Sequence, residues 1–117
     1  MTDDNRPTSE SSVRVLIVDD HAIVRKGICA LLSEAGGFEV VGEASNGRSA
    51  VQAAEETKPD VILMDLLMPG MDGIEATRQI TQRQPKTRIL VLTSFAADNK
   101  VFPAIKAGAL GYLLKDS

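Results

Sequence analysis

Five short runs of largely apolar residues, four to seven long, alternate along this chain with segments whose apolar residues recur at helical spacing. The runs are Val13 to Val18, Phe38 to Ala44, Val61 to Met64, Arg88 to Leu92 and Gly111 to Leu114. A strand that is apolar on both of its faces must be covered on both, which alternating helices achieve only around a parallel sheet. The pattern therefore predicts a doubly wound α/β domain with a parallel five-stranded sheet.

The intervening helices carry recognisable ends. His21 to Ala35 places Val24, Ile28, Leu31, Leu32 and Ala35 on one face, with Asp20 as a possible cap, and ends at Gly36-Gly37. Arg48 to Thr57 presents a small-residue face of Ala50, Val51 and Ala54, and Pro59 closes it. Asp72 and Glu75 have the spacing of a capping box for a helix that stops before Pro85. A weaker helix over 99–107 contains Pro103, which predicts a late start or a kink, and Gly108 suits a left-handed C-cap. Residues 1–12, polar and without periodicity, read as a disordered tail.

In open α/β sheets the ligand sits beyond the carboxyl ends of the strands. Those ends are Asp19-Asp20, Asp65, Thr93-Ser94 and Lys115. Two carboxylates about 4 Å apart repel by about 4 kcal/mol at an effective dielectric near 20. Three acids on one rim thus require protonation or a cation, and Mg²⁺ takes such oxygen ligands while retaining waters. With the metal in place a phosphoryl group can approach, held by the Lys115 ammonium and the Thr93 hydroxyl, and a carboxylate there can act as nucleophile.

The totals exclude several classes. Lys and Arg number 13 against 16 Asp and Glu, and a net charge of −3 gives no footprint for nucleic acid or an anionic membrane. One cysteine, Cys29, rules out an intrachain disulfide framework. No apolar run approaches the roughly 20 residues of a membrane span. The chain reads as cytoplasmic.

The segments "LIVDDH", "VILMDLLMPGMDG", "VLTS" and "GALGYLLKD" together resemble the receiver domain of two-component response regulators. The "DDH" start and "GYLLKD" end are similar to the NarL/FixJ (LuxR-type) subfamily. The resemblance covers 13–117 and implies a flavodoxin-like fold with strand order 2-1-3-4-5. It implies Asp65 as phospho-acceptor, with Asp19, Asp20, Asp65 and the backbone carbonyl of Leu67 holding Mg²⁺. Thr93 and Tyr112 match the switch pair and Lys115 the site lysine. A sensor histidine kinase is the implied phosphodonor, and the domain is a switch rather than a turnover enzyme.

Two departures from the family stand out. The sequence stops after the fifth strand, where members continue into a last helix, and the subfamily's DNA-binding domain lies outside it; DNA contact would come only through such an output domain. An uncovered sheet face predicts a homodimer or other self-association, a rearrangement of elements that hides it, or a domain only marginally stable alone. Lys115 also precedes Asp116 where many members have proline. Leu67 and Phe95, apolar at the positions two beyond Asp65 and Thr93, predict slow decay of the acyl phosphate.

A metal-dependent phosphohydrolase would show Asp-x-Asp after the first strand, and a flavin module a Ser/Thr/Gly-rich phosphate loop; "DDHAIVRKG" is neither. His21 reads as a partly exposed first-turn residue rather than a ligand, and Cys29 as a near-core thiol rather than a redox sensor.

Overall fold

The computed structural model describes residues 12–68, 70–93 and 100–115. The elements in chain order are β1 (Val13–Val18), α1 (Ala22–Ala35), β2 (Phe38–Ala44), α2 (Gly47–Thr57), β3 (Val61–Asp65), α3 (Gly73–Arg83), β4 (Arg88–Thr93), α4 (Val101–Ala107) and β5 (Gly111–Leu114). All five strands are parallel, in the order β2-β1-β3-β4-β5. This is the expected doubly wound architecture, with four helices among the described residues. The tail over 1–11, Ser94, Phe95 and Asp116 lie outside the described residues.

The order follows from right-handed crossovers. The chain moves one way from β1 to β2 and the other way through β3, β4 and β5. Right-handed connections then put α1 on one face and α2, α3 and α4 on the other. The last three pack side by side, whereas α1 packs chiefly on β2 and β1.

Between sheet and three-helix layer lies the core: Leu16, Val18, Ile62, Met64, Ile89 and Val91 from the strands, met by Ala50, Ala54, Ala76, Ile80 and Ala104. Alanine at these helix positions lets each axis sit close to the sheet without loss of packing density. Val15 to Val18 are buried on both faces, as an unbroken apolar run requires.

The helix ends both agree with and correct the sequence reading. Asn46 caps α2 by accepting from the Ser49 amide (2.8 Å), and Asp72 caps α3 by accepting from the Glu75 amide (3.0 Å). The capping box is half formed, because the Glu75 carboxylate turns to Arg78 and Gln79 instead. Asp20 does not cap α1; His21 occupies that position without a side-chain bond to the helix. The α4 helix begins at Val101, so Pro103 falls in its first turn, where no amide is needed, and the helix is short rather than kinked.

Helix α1 contains no fully buried residue. Val24, Ile28 and Leu32 are half-buried on the sheet, but Leu31 and Ala35, expected on the same face, are exposed. The periodic pattern was wider than the one neighbour available to it. Gly27, mid-helix on the exposed side, would have nothing within 4 Å of an added Cβ. Gly27→Ala is expected to raise stability by about 0.5–1 kcal/mol, read as a shifted denaturant midpoint with unchanged slope.

Candidate functional site

Three strand ends deliver carboxylates and an amine to one point. Asp19 follows β1 and is fully buried; its amide donates to the Ala44 carbonyl (3.0 Å), which fixes its peptide to the end of β2. Asp65 closes β3, is 3% exposed, and has its Oδ1 held by the Leu67 amide (3.2 Å). Lys115 follows β5, and its amide donates to the Thr93 carbonyl (2.7 Å). That bond aims the side chain back over the sheet. Its Nζ lies 2.9 Å from Asp19 Oδ2 and 3.5 Å from Asp65 Oδ1, so one ammonium spans both buried acids.

Asp20 stands at the mouth of the site, about one quarter exposed. His21 lies outside it and is two-thirds exposed, with Nδ1 3.3 Å from Asp19 Oδ1 and 3.1 Å from Asp20 Oδ1. The His21 amide donates to Asp19 Oδ1 (2.9 Å). Asp20 Oδ1 is buried and receives no aligned hydrogen bond. The Arg25 guanidinium donates to the Asp19 carbonyl (2.7 Å) and pairs with Glu43 (2.9 Å), bracing the start of α1 against β2.

These surroundings shift two groups. Burial raises the Asp65 carboxyl above its ordinary range, and the Asp19 charge adds to it; Lys115 and the Leu67 amide oppose without cancelling. For Lys115, burial pulls the amine down, but the hydrogen bond to Asp19 and the charges of Asp65 and Asp19 outweigh it, so the amine holds its proton more firmly than a free lysine.

The sequence-expected residues meet as follows. Asp19, Asp65 and Lys115 converge, with Asp20 beside them. Thr93 is buried at the end of β4, opposite Leu114 in the register. Leu67 is half exposed on the loop after β3. Tyr112 points outward on β5, 51% exposed. Cys29 is half-buried, 3.8 Å from Glu43 Oε2, and burial with the Glu43 charge raises its thiol pKa, which makes it a poor nucleophile. The sequence points to a partly exposed first-turn residue for His21, yet its ring lies against both acids. The adjacency in "DDH" was the available signal, but backbone turning decides whether neighbours in sequence face one point.

Missed on sequence were Gly47 and Gly73. A Cβ on Gly73 would lie 2.2 Å from the Asp65 carbonyl oxygen, and one on Gly47 2.3 Å from that of Met71. Both glycines let α2 and α3 start hard against the loop that follows Asp65.

This fold and this rim of acids, hydroxyl and lysine define a response regulator receiver domain, and the chain belongs to that family, whose model it matches over residues 15–117. It is 57% identical over 105 residues to the transcriptional regulatory protein LiaR of Bacillus subtilis, covering 90% of this chain and 50% of LiaR. With the response regulator protein VraR of Staphylococcus aureus the identity is 51% over 104 residues, covering 89% and 50%. A two-component response regulator of the LuxR family from Aurantimonas sp. SI85-9A1 superposes with a TM-score of 0.85 at 43% identity, over 92% of this chain and 76% of that one. The signal receiver domain of NarL from Mycobacterium tuberculosis gives 0.83 at 39%, over 92% and 86%. The chain spans about half the length of LiaR and VraR. No helix among the described residues is long and apolar enough to cross a membrane.

Proposed function

We propose that this domain is a phosphorylation-controlled switch that takes a phosphoryl group onto Asp65 from the phosphohistidine of a sensor histidine kinase. The observation that carries this reading is the pair of buried acids, Asp19 and Asp65, bridged by a single lysine. A fold stabilised for its own sake does not bury two carboxylates at a strand rim against one partly buried amine, because one charge is left over.

The donor set fits Mg²⁺. Asp19, Asp20 and Asp65 offer hard oxygens, the Leu67 carbonyl is on the adjacent loop, and Asp20 Oδ1 is a buried acceptor with no aligned donor. Bound there, the ion would offset the acids and the phosphoryl charge. The remaining chemistry belongs to the side chains. An Asp65 oxygen forms the new O–P bond as the P–N bond of the phosphohistidine breaks, and the imidazole leaves with the electron pair. The Lys115 ammonium moves from its carboxylate partners to the incoming phosphoryl oxygens, and the Thr93 hydroxyl donates to another. Tyr112, exposed on β5, then turns toward the space that Thr93 vacates, changing the β4–β5 surface.

Intact mass after incubation with acetyl phosphate tests the assignment. One phosphoryl group is expected on the wild type with Mg²⁺ and none with chelator; labelling without metal contradicts the metal's role.

Transcriptional output is proposed for the portion of such a protein outside these residues, which would also supply any DNA contact. Self-association is proposed through the side of the sheet that α1 only partly covers. Ile23 is 82% exposed and Leu31 66%. Leu113, in register with Leu92, adds a half-exposed side chain to that side of the sheet. Burying a few hundred Å² there is favourable by several kcal/mol at about 25 cal/mol per Å². Light scattering is expected to show mass rising with concentration, and Leu31→Lys is expected to lower it; a monomer at all concentrations refutes the proposal.

A further inference from the structure

A groove of about 630 Å³ opens beside the acid site, lined by Asp20, Ser45, Asn46, Arg48, Gly70 and Met71. It runs between the β2–α2 turn and the loop after β3, and shares Asp20 with the site. Arg48 is the one cationic lining residue among the described residues. Four other described arginines are engaged: Arg14 with the Lys58 carbonyl, Arg25 with Glu43, Arg78 with Glu75, Arg83 near Glu55; Arg88, at the start of β4, stands at the opposite end of the sheet from the acids. Arg48 is exposed and its guanidinium has no ion pair or hydrogen bond among the described residues. Helix stability does not account for it either. It sits in the first turn of α2, where the helix dipole disfavours a cation, and that turn contains no acid to balance it.

The charge balance of the site gives such a residue a task. Asp19, Asp20 and Asp65 against Lys115 leave an excess of negative charge facing any phosphodonor, and every phosphodonor is an anion. With a divalent ion among the acids, three carboxylates, one ammonium and the metal sum to zero, so the site itself then exerts no net attraction on an approaching anion. An unpaired guanidinium at the lip of the same groove supplies the attraction an anion meets first.

We propose that Arg48 is a positioning residue for the phosphodonor, drawing its anionic group into the groove beside Asp20 before transfer to Asp65. This rests on the phospho-acceptor reading above and adds an entry path to it. In the transfer an Asp65 oxygen bonds to phosphorus, the bridging O–P bond of acetyl phosphate breaks, and acetate leaves with the electron pair. Arg48 takes no part in those bonds.

The test measures phosphorylation rates at saturating Mg²⁺ for wild type, Arg48→Glu, Arg48→Lys and Lys86→Glu, with acetyl phosphate and with phosphoramidate. Lys86 lines an opening at the opposite end of the sheet, and its reversal changes net charge equally. Arg48→Glu is expected to slow acetyl phosphate, a dianion, about threefold or more at low ionic strength, the difference closing at high salt. Phosphoramidate, with a smaller net charge, should be slowed less. Arg48→Lys should stay near wild type and Lys86→Glu unchanged. Calorimetric Mg²⁺ affinity should rise in Arg48→Glu, since a cation near Asp20 has been removed; a merely structural defect would not tighten metal binding. Equal rates for Arg48→Glu and wild type, or equal slowing by Lys86→Glu, overturn the proposal. Undiminished labelling of Asp65→Asn, run alongside, would instead overturn the phospho-acceptor reading.

Discussion

Asp65→Asn is expected to lose phosphoryl labelling by at least about 100-fold and, in metal-free buffer at pH 7, to melt at a higher temperature than the wild type. The two effects share a cause. Asp65 is buried, and burial together with the Asp19 charge raises its carboxyl above the ordinary range. The folded chain therefore binds this proton more tightly than the unfolded chain does. As pH rises from the ordinary carboxylate value through the raised folded value, the unfolded state sheds the proton first, so stability falls across that window and stays lowered above it. An amide removes the charge and keeps the shape. It gives up the attraction of Lys115, but Lys115 keeps Asp19 as a partner at 2.9 Å. Each 1 kcal/mol gained at pH 7 raises the melting temperature by roughly 4–8 °C in a domain near 100 residues. The gain should vanish below about pH 4, where both states of the wild type are protonated. Mg²⁺ should narrow the difference at pH 7 by stabilising the folded wild type. Thermal melts across pH, with and without the metal, check all three; an equal gain at acid and neutral pH would mean that charge is not its source.

That prediction was within reach of the sequence in part. Asp65 at the end of "VILM" was legible because a buried apolar strand has no structural use for a terminal acid. Asp19 and Lys115 were legible as occupants of the same rim, since strand ends in a parallel sheet lie at one edge. What the sequence did not contain was the pairing. The sequence points to Lys115 as a partner for a phosphoryl group, whereas in the fold it bridges Asp19 and Asp65, because its backbone, anchored on the Thr93 carbonyl, turns it inward. The reading of α1 erred for a related reason: periodicity shows which residues share a face, not whether a neighbour exists to cover Leu31 and Ala35. Arg48 gave no signal at all, since a single exposed arginine in a helix is unremarkable until the groove beside it is known.

Glycine is where local pattern and long-range packing part most sharply, and Gly73→Ala is expected to damage both stability and phosphorylation. From the sequence, Gly73 is only the residue after a cap, and alanine would be the better helix former. In the fold its Cα faces the end of β3, which carries the proposed phospho-acceptor. An added Cβ would stand 2.2 Å from the Asp65 carbonyl oxygen, 2.9 Å from Leu66 Cα and 3.0 Å from the Asp65 carbonyl carbon. These are backbone atoms, tied by the Leu66 amide to Leu92 (3.3 Å) and by the Gly73 amide to the Leu66 carbonyl (3.3 Å). No rotamer change relieves the contact, so the start of α3 and the end of β3 must move apart. Overpacking of this kind costs about 1–3 kcal/mol, with the larger figure expected against backbone. The displaced peptide is that of Asp65, the proposed nucleophile, and a shift near 1 Å in a reacting group can slow transfer about 100-fold. Gly27→Ala, the same substitution in open space on α1, should do the opposite and stabilise. Denaturant melts and acetyl phosphate labelling of the two variants separate a local clash from a general dislike of alanine: if Gly73→Ala is as stable and as readily labelled as the wild type, the close approach of α3 to the Asp65 peptide does not govern the site.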